Sequence, residues 1–132
     1  MSCGAMNSCI DKSVFRGIDL CREGIAECCR GLESVEENNV RNGIEQIRIG
    51  VCRCANGLAI VQAASSCNTI IKRKAQKCYQ QLCNIRLGMR DIMQNNVKMG
   101  SDDIKTATCA LEQIVEQINN YFEAPNVSCD CL

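Results

Sequence analysis

The sequence predicts an all-α protein, an antiparallel four-helix bundle built from two tandem helical hairpins with cysteine-bearing tails. Three observations predict it. The runs RGIDLCREGIAECCRGLESV (16–35) and NGIEQIRIGVCRCANGLAIV (42–61) share one seven-residue pattern. The single proline, Pro125, lies close to the end of the 132 residues, so nothing of that kind interrupts a long helix. The segment ENNVRNG (37–43) returns as QNNVKMG (94–100), 57 residues later.

The first helix is expected from a cap at Asp11 or Ser13 to about Glu37. Its apolar line is Val14, Cys21, Cys28 and Val35, at heptad spacing. Glycine also recurs every seven residues: Gly17, Gly24, Gly31, then Gly43, Gly50, Gly57 in the next run. An interior glycine costs a helix about 0.5–1 kcal/mol relative to alanine, so six at fixed phase need an offsetting gain. Close approach of two helix backbones along a glycine strip supplies it. Asn38-Asn39 then turns the chain. The second helix is expected over about 40–64, with Val40, Ile47, Cys54 and Val61 on its seam. Ile49, Cys52, Ala55, Ala59 and Ala63 widen that seam, so this helix reads as the most buried.

Residues 65–69 (SSCNT) are a weaker break, and fusion of helices two and three into one rod is the alternative. The third helix uses Ile71, Ala75, Cys78, Leu82, Ile85, Met89 and Ile92. Residues 94–100 turn the chain, and Ser101 with Asp102 and Asp103 is the expected cap of the fourth helix. That helix uses Ile104, Ala107, Leu111, Val115, Ile118 and Phe122. The repeat offset carries Cys21 to Cys78, Gly31 to Gly88, Ile47 to Ile104 and Cys52 to Cys109, whereas Ile44 maps to Ser101. The expected organisation is a tail at 1–10, a bundle at 11–123 with hairpins near 11–66 and 68–123, and a second tail at 124–132. Helices of this length run roughly 35–40 Å, and two such hairpins bury their apolar stripes against each other.

Composition narrows the function. Net charge is zero and aromatics are 3%, which leaves neither a basic face nor stacking rings for nucleic acid. No run of 18 apolar residues suggests a membrane span, and the N-terminal residues lack the pattern of a secretory signal. Synthesis in the cytoplasm is therefore expected, with the Asn126-Val127-Ser128 sequon accidental. With no histidine, a Ser-His-Asp or Cys-His site is impossible, and the Glu-x-x-His of di-iron bundles is missing. No phosphate-binding glycine loop occurs either. The expectation is a non-enzyme without a resident cofactor.

Cysteine is the anomaly, at 13 of 132 residues, about a tenth of the chain. Cys21, Cys28, Cys54 and Cys78 fall on the seam, where a thiol acts as a small hydrophobe. If the chain binds metal, these four are the ligand candidates. The pairs Cys21/Cys52 and Cys78/Cys109 are equivalent in the two hairpins and lie about one helical turn from opposition, which makes them intra-hairpin disulfide candidates. Cys3, Cys9, Cys29, Cys67, Cys83, Cys129 and Cys131 lie off the seam or on tails, as candidates for bonds between molecules.

Cys3, Cys9, Cys129, Cys131 and the overall cysteine count give a composition that resembles the cysteine-rich coat and exosporium proteins of bacterial endospores. That resemblance implies a structural protein, made without a signal peptide and cross-linked by disulfides into an insoluble layer or fibre. Its partners would be copies of itself and other cysteine-rich proteins, and its destination a spore or cell-surface layer. In length and thiol number the chain also looks like bacterial copper-storage four-helix bundles. That second resemblance implies Cu(I) held by thiolates. The C-x3-C and C-x2-C spacings of that family do not occur here.

Overall fold

A computed structural model describes residues 12–123. Four helices follow in order: α1 (Ser13–Glu36), α2 (Val40–Ala64), α3 (Thr69–Met93) and α4 (Val97–Glu123). They form the expected bundle of two hairpins, α1/α2 and α3/α4. Among the described residues each helix packs on its two neighbours around a square, and no Cα atoms of diagonal pairs come within 8 Å of each other.

The glycine strip closes the first hairpin. A methyl carbon placed on Gly24 would lie 2.5 Å from the carbonyl oxygen of Gly50, and one on Gly50 would lie 2.5 Å from that of Gly24. Gly17/Gly57 and Gly31/Gly43 repeat this reciprocal arrangement. Each Cα hydrogen therefore points at a carbonyl across the interface, a weak but recurrent contact. Beside each glycine sits a side chain from the opposite helix: Val61 on Gly17, Cys54 on Gly24, Ile47 on Gly31, Val35 on Gly43, Cys28 on Gly50 and Cys21 on Gly57. Backbones this close leave room only for Val, Ile and Cys along the seam, and no leucine occupies it. The packing gain offsets the glycine penalty that helix propensity alone would impose.

The two hairpin turns are duplicates in geometry as well as sequence. Asn38 has φ 68° and Asn95 φ 73°, the left-handed conformation that ends a helix. Asn39 N–H donates to Ser34 O and Asn96 N–H to Asp91 O, each at 2.8 Å. Asparagine stands where glycine is commonest, because its short polar side chain tolerates this conformation. The same duplication moves the start of the last helix. Ser101 was expected to cap it, but α4 begins at Val97, as α2 begins at Val40. Ser101 is buried instead, and its Oγ has no hydrogen-bond partner.

Helices α2 and α3 are separate. Asn68 caps α3 by accepting the Ile71 N–H at 3.0 Å and donates from Nδ2 to the Tyr121 hydroxyl at 2.9 Å, tying this turn to α4. At α1 the residue before the helix is Lys12, with no side-chain cap; Asp11 lies outside the described residues. The seam of α2 is narrower than expected: Ile49, Cys52, Ala59 and Ala63 are exposed and Ala55 is half-buried. Buried positions are 9 of 25 in α2 and 10 of 24 in α1, so α2 is not the most buried helix. Alanine and isoleucine on its outer face blurred the periodicity.

Candidate functional site: two sets of thiols

The helical register sorts the described cysteines by depth. Cys21, Cys28, Cys54 and Cys78 are buried, while Cys29, Cys52, Cys83 and Cys109 are exposed; all eight are free thiols. Each helix thus presents one exposed thiol. Cys67, in the α2–α3 turn, is exposed and disulfide-bonded. Cys3, Cys9, Cys129 and Cys131 lie outside the described residues.

The buried set comes from three helices and is held by packing and weak hydrogen bonds. Cys21 Sγ donates to Cys54 O at 3.5 Å, and Cys28 Sγ donates to Ile47 O at 3.7 Å. Burial pushes the Cys28 thiol up to about 12, with the neighbouring Cys29 and Glu27 adding to the effect. Burial likewise raises Cys78 to about 12, helped by Cys21 and opposed by Lys74. Cys54 is raised by its contact with the Cys21 thiol and by burial, with Cys78 and Cys28 contributing. These groups stay protonated at neutral pH, which suits packing better than nucleophilic or redox work. Among the described residues, no three Cys, His, Asp or Glu side chains converge as a metal ion would require.

The expected intra-hairpin pairs are not brought together. Gly24 faces Gly50, so three residues outward Cys21 is level with Arg53, one residue from Cys52. The height is right, and the one-turn mismatch inferred from the turn is absent. The face is wrong, because Cys21 is buried and Cys52 exposed. Cys78 and Cys109 differ in the same way. The close partner of Cys21 is Cys54.

The seam between the hairpins carries an arrangement that sequence reasoning missed. Phe15, Arg22, Cys29 and Glu36 recur every seven residues on the α1 face toward α4. Phe15 meets Phe122 edge-on with centroids 6.4 Å apart. Arg22 binds Glu116 at 2.9 Å, and Glu36 binds Lys105 at 2.5 Å. Cys29 lies between those ion pairs, beside a surface cleft of about 260 Å³ lined by Ile25, Ala26, Glu112 and Val115. Burial raises the Cys29 thiol, and Glu112, Glu33 and Cys109 raise it further, against Arg30. The signal in the sequence was a heptad translation, but it needed the α1/α4 register.

Comparison with protein-family models, with curated proteins and with solved structures gives no match. Fold and thiol placement define the class: an all-α bundle of duplicated hairpins, cysteine-rich, with its described thiols divided between seam and surface. No helix among the described residues is long and apolar enough to cross a membrane.

Proposed function

We propose that the chain is a self-assembling structural protein whose outward thiols join copies through disulfides into a fibre, lattice or coat layer. One observation carries this reading: every helix of a well-packed bundle exposes one free cysteine. Idle surface thiols are a liability in a monomer, and exposed thiols on all four helices suit a building block. The tails add Cys3, Cys9, Cys129 and Cys131. Partners on this reading are copies of the chain and other cysteine-rich proteins, and the destination is a spore or cell-surface layer reached after cytoplasmic synthesis. No catalytic step and no cofactor belong to it.

The test is oxidation of the reduced full chain at increasing concentration, followed by non-reducing gels and sedimentation velocity. High polymers that collapse to monomer on reduction are expected. A monomer under every oxidising condition overturns the proposal.

A second reading, Cu(I) storage, is favoured by the neighbourhood of Cys21, Cys54 and Cys78 in the core, where Cys21 and Cys78 raise Cys54 and Cys21 raises Cys78. Thiolates do prefer Cu(I). Loading would have to expel protons that burial holds tightly and spread a seam packed against glycine. Titration of reduced protein with Cu(I) against a competing chelator decides it: stoichiometry near zero removes this reading, and several ions per chain would favour it.

A further inference from the structure

The ion pair between Arg22 and Glu116, at 2.9 Å, sets the register of α1 against α4. Helix α1 runs antiparallel to α4, so one heptad forward on α1 corresponds to one heptad back on α4. Those steps lead from Arg22 to Cys29 and from Glu116 to Cys109. Both residues are exposed free thiols. Beyond them the Glu36–Lys105 pair, at 2.5 Å, confirms the antiparallel direction, with Lys105 reaching Glu36 from about one helical turn off the strict heptad step. Cys109 is also among the groups whose charge is felt at Cys29, as expected for neighbours across this seam. The cleft beside Cys29 is lined by Ile25, Ala26 and Val115, with Arg22, Glu112 and Glu116 at its sides.

We propose that Cys29 and Cys109 are a redox pair that forms a disulfide across the α1/α4 seam and staples the first hairpin to the second. Cys28 is the obvious competitor for Cys29, but its thiol points inward to Ile47 O. A low-molecular-weight disulfide such as oxidised glutathione is the oxidant. One cysteine thiolate attacks it and releases one glutathione thiolate, leaving a mixed disulfide. The second cysteine thiolate attacks the protein sulfur of that mixed disulfide and releases the other glutathione. Two thiol protons are lost, two electrons pass to the oxidant, and one protein S–S bond replaces one glutathione S–S bond. Closure needs the two Cα atoms within about 7 Å.

This goes beyond the cross-linking reading and stands whether or not the chain polymerises. It also sharpens that reading. With the staple closed, the thiols still exposed on the described helices are Cys52 on α2 and Cys83 on α3. Cross-linking through the bundle itself would then run from its α2/α3 side.

The experiment uses the full chain, reduced and then exposed to oxidised glutathione at a dilution that keeps it monomeric on gels. Free thiols are alkylated, and the monomer is digested without reduction and sequenced by mass spectrometry. A Cys29–Cys109 cross-link is expected, lost in both Cys29→Ser and Cys109→Ser but retained in Cys28→Ser. The oxidised monomer should also have an unfolding equilibrium constant at least about tenfold smaller than the reduced one. Recovery of Cys29 and Cys109 as alkylated residues, or joined only to other cysteines, overturns the proposal. The Cys29→Ser/Cys109→Ser double variant separates the two ideas: polymers that still form on oxidation keep the cross-linking reading alive even if the staple is wrong. A stapled wild-type monomer that never polymerises does the reverse.

Discussion

The two hairpins come from one pattern but solve the packing problem differently. In α1/α2 three reciprocal glycine pairs bring backbones together along the whole interface. In α3/α4 only Gly88/Gly100 remains, next to the turn. The counterparts of Gly24 and Gly50 are Gln81 and Ala107, and those of Gly17 and Gly57 are Lys74 and Ile114. Away from its turn the second hairpin is held by larger core residues, Leu82, Ile85, Leu111 and Ile118, all fully buried. The thiols follow the same division. Three of the four buried cysteines lie in the first hairpin and one, Cys78, in the second. Close backbones demand small seam residues, and cysteine is one of the few small apolar choices.

The largest test of this contrast is Gly24→Ala against Gln81→Ala. The new methyl at Gly24 would sit 2.5 Å from Gly50 O, a backbone atom that can move only by separating the helices. We predict a loss of at least about 3 kcal/mol in urea unfolding, against under about 1 kcal/mol for Gln81→Ala. Equal losses would mean that the glycine strip is not what distinguishes the first hairpin. Gly88→Ala should fall between them, at about 2 kcal/mol. Its closest obstruction is Ile104 Cγ1 at 2.5 Å, a side chain that can rotate, with Gly100 O at 2.8 Å. A cost above that of Gly24→Ala would reverse the ranking of the two interfaces.

Alkaline pH probes the thiol contrast. Cys28 and Cys78 are raised from an ordinary 9.0 to about 12, and Cys54 moves in the same direction. Between about pH 9 and 12 the unfolded chain has released these protons and the folded chain still holds them. Stability is therefore unaffected by these thiols below pH 9 and falls as pH rises, by at most about 1.4 kcal/mol per pH unit for each. Two of the three belong to the first hairpin, so Cys78→Ala should leave most of the slope in urea midpoints. A flat alkaline profile in wild type would show that the seam is open to solvent.

The smallest effect concerns what the hairpins share. Asn38→Ala and Asn95→Ala should each cost about 1 kcal/mol, because alanine lacks the short polar side chain that lets asparagine tolerate positive φ. Asn38→Gly and Asn95→Gly should be near neutral. Thermal melts of the four variants check whether the turns are energetically as well as geometrically equivalent.

Much of this fold could be read from spelling. Heptad glycines announced the close interface, and the repeated NNV segments announced two turns. Where the reading failed, two signals competed. The cap expected at Ser101 ignored what the repeat already implied, that the helix after Asn95-Asn96 begins at Val97 as it does at Val40. Cys52 looked like seam because α2 carries apolar residues such as Ile49 on its outer face. The division of thiols into buried and exposed was largely legible from heptad phase. The meeting of Cys29 with Cys109 was not. Short turns fix the register within a hairpin, whereas the register between α1 and α4 is set by Arg22, Glu36 and Phe15 finding partners some seventy to a hundred residues away.

The thiols lodged against glycine have a practical consequence for watching the molecule move. Cys21 and Cys28 sit where a methyl on Gly57 or Gly50 would already come within 2.8 Å and 2.7 Å of their sulfurs. A maleimide-sized reagent has no way in unless the packed helices part. The rate at which these two sulfurs become labelled is thus an intrinsic clock for that parting, readable without adding any probe.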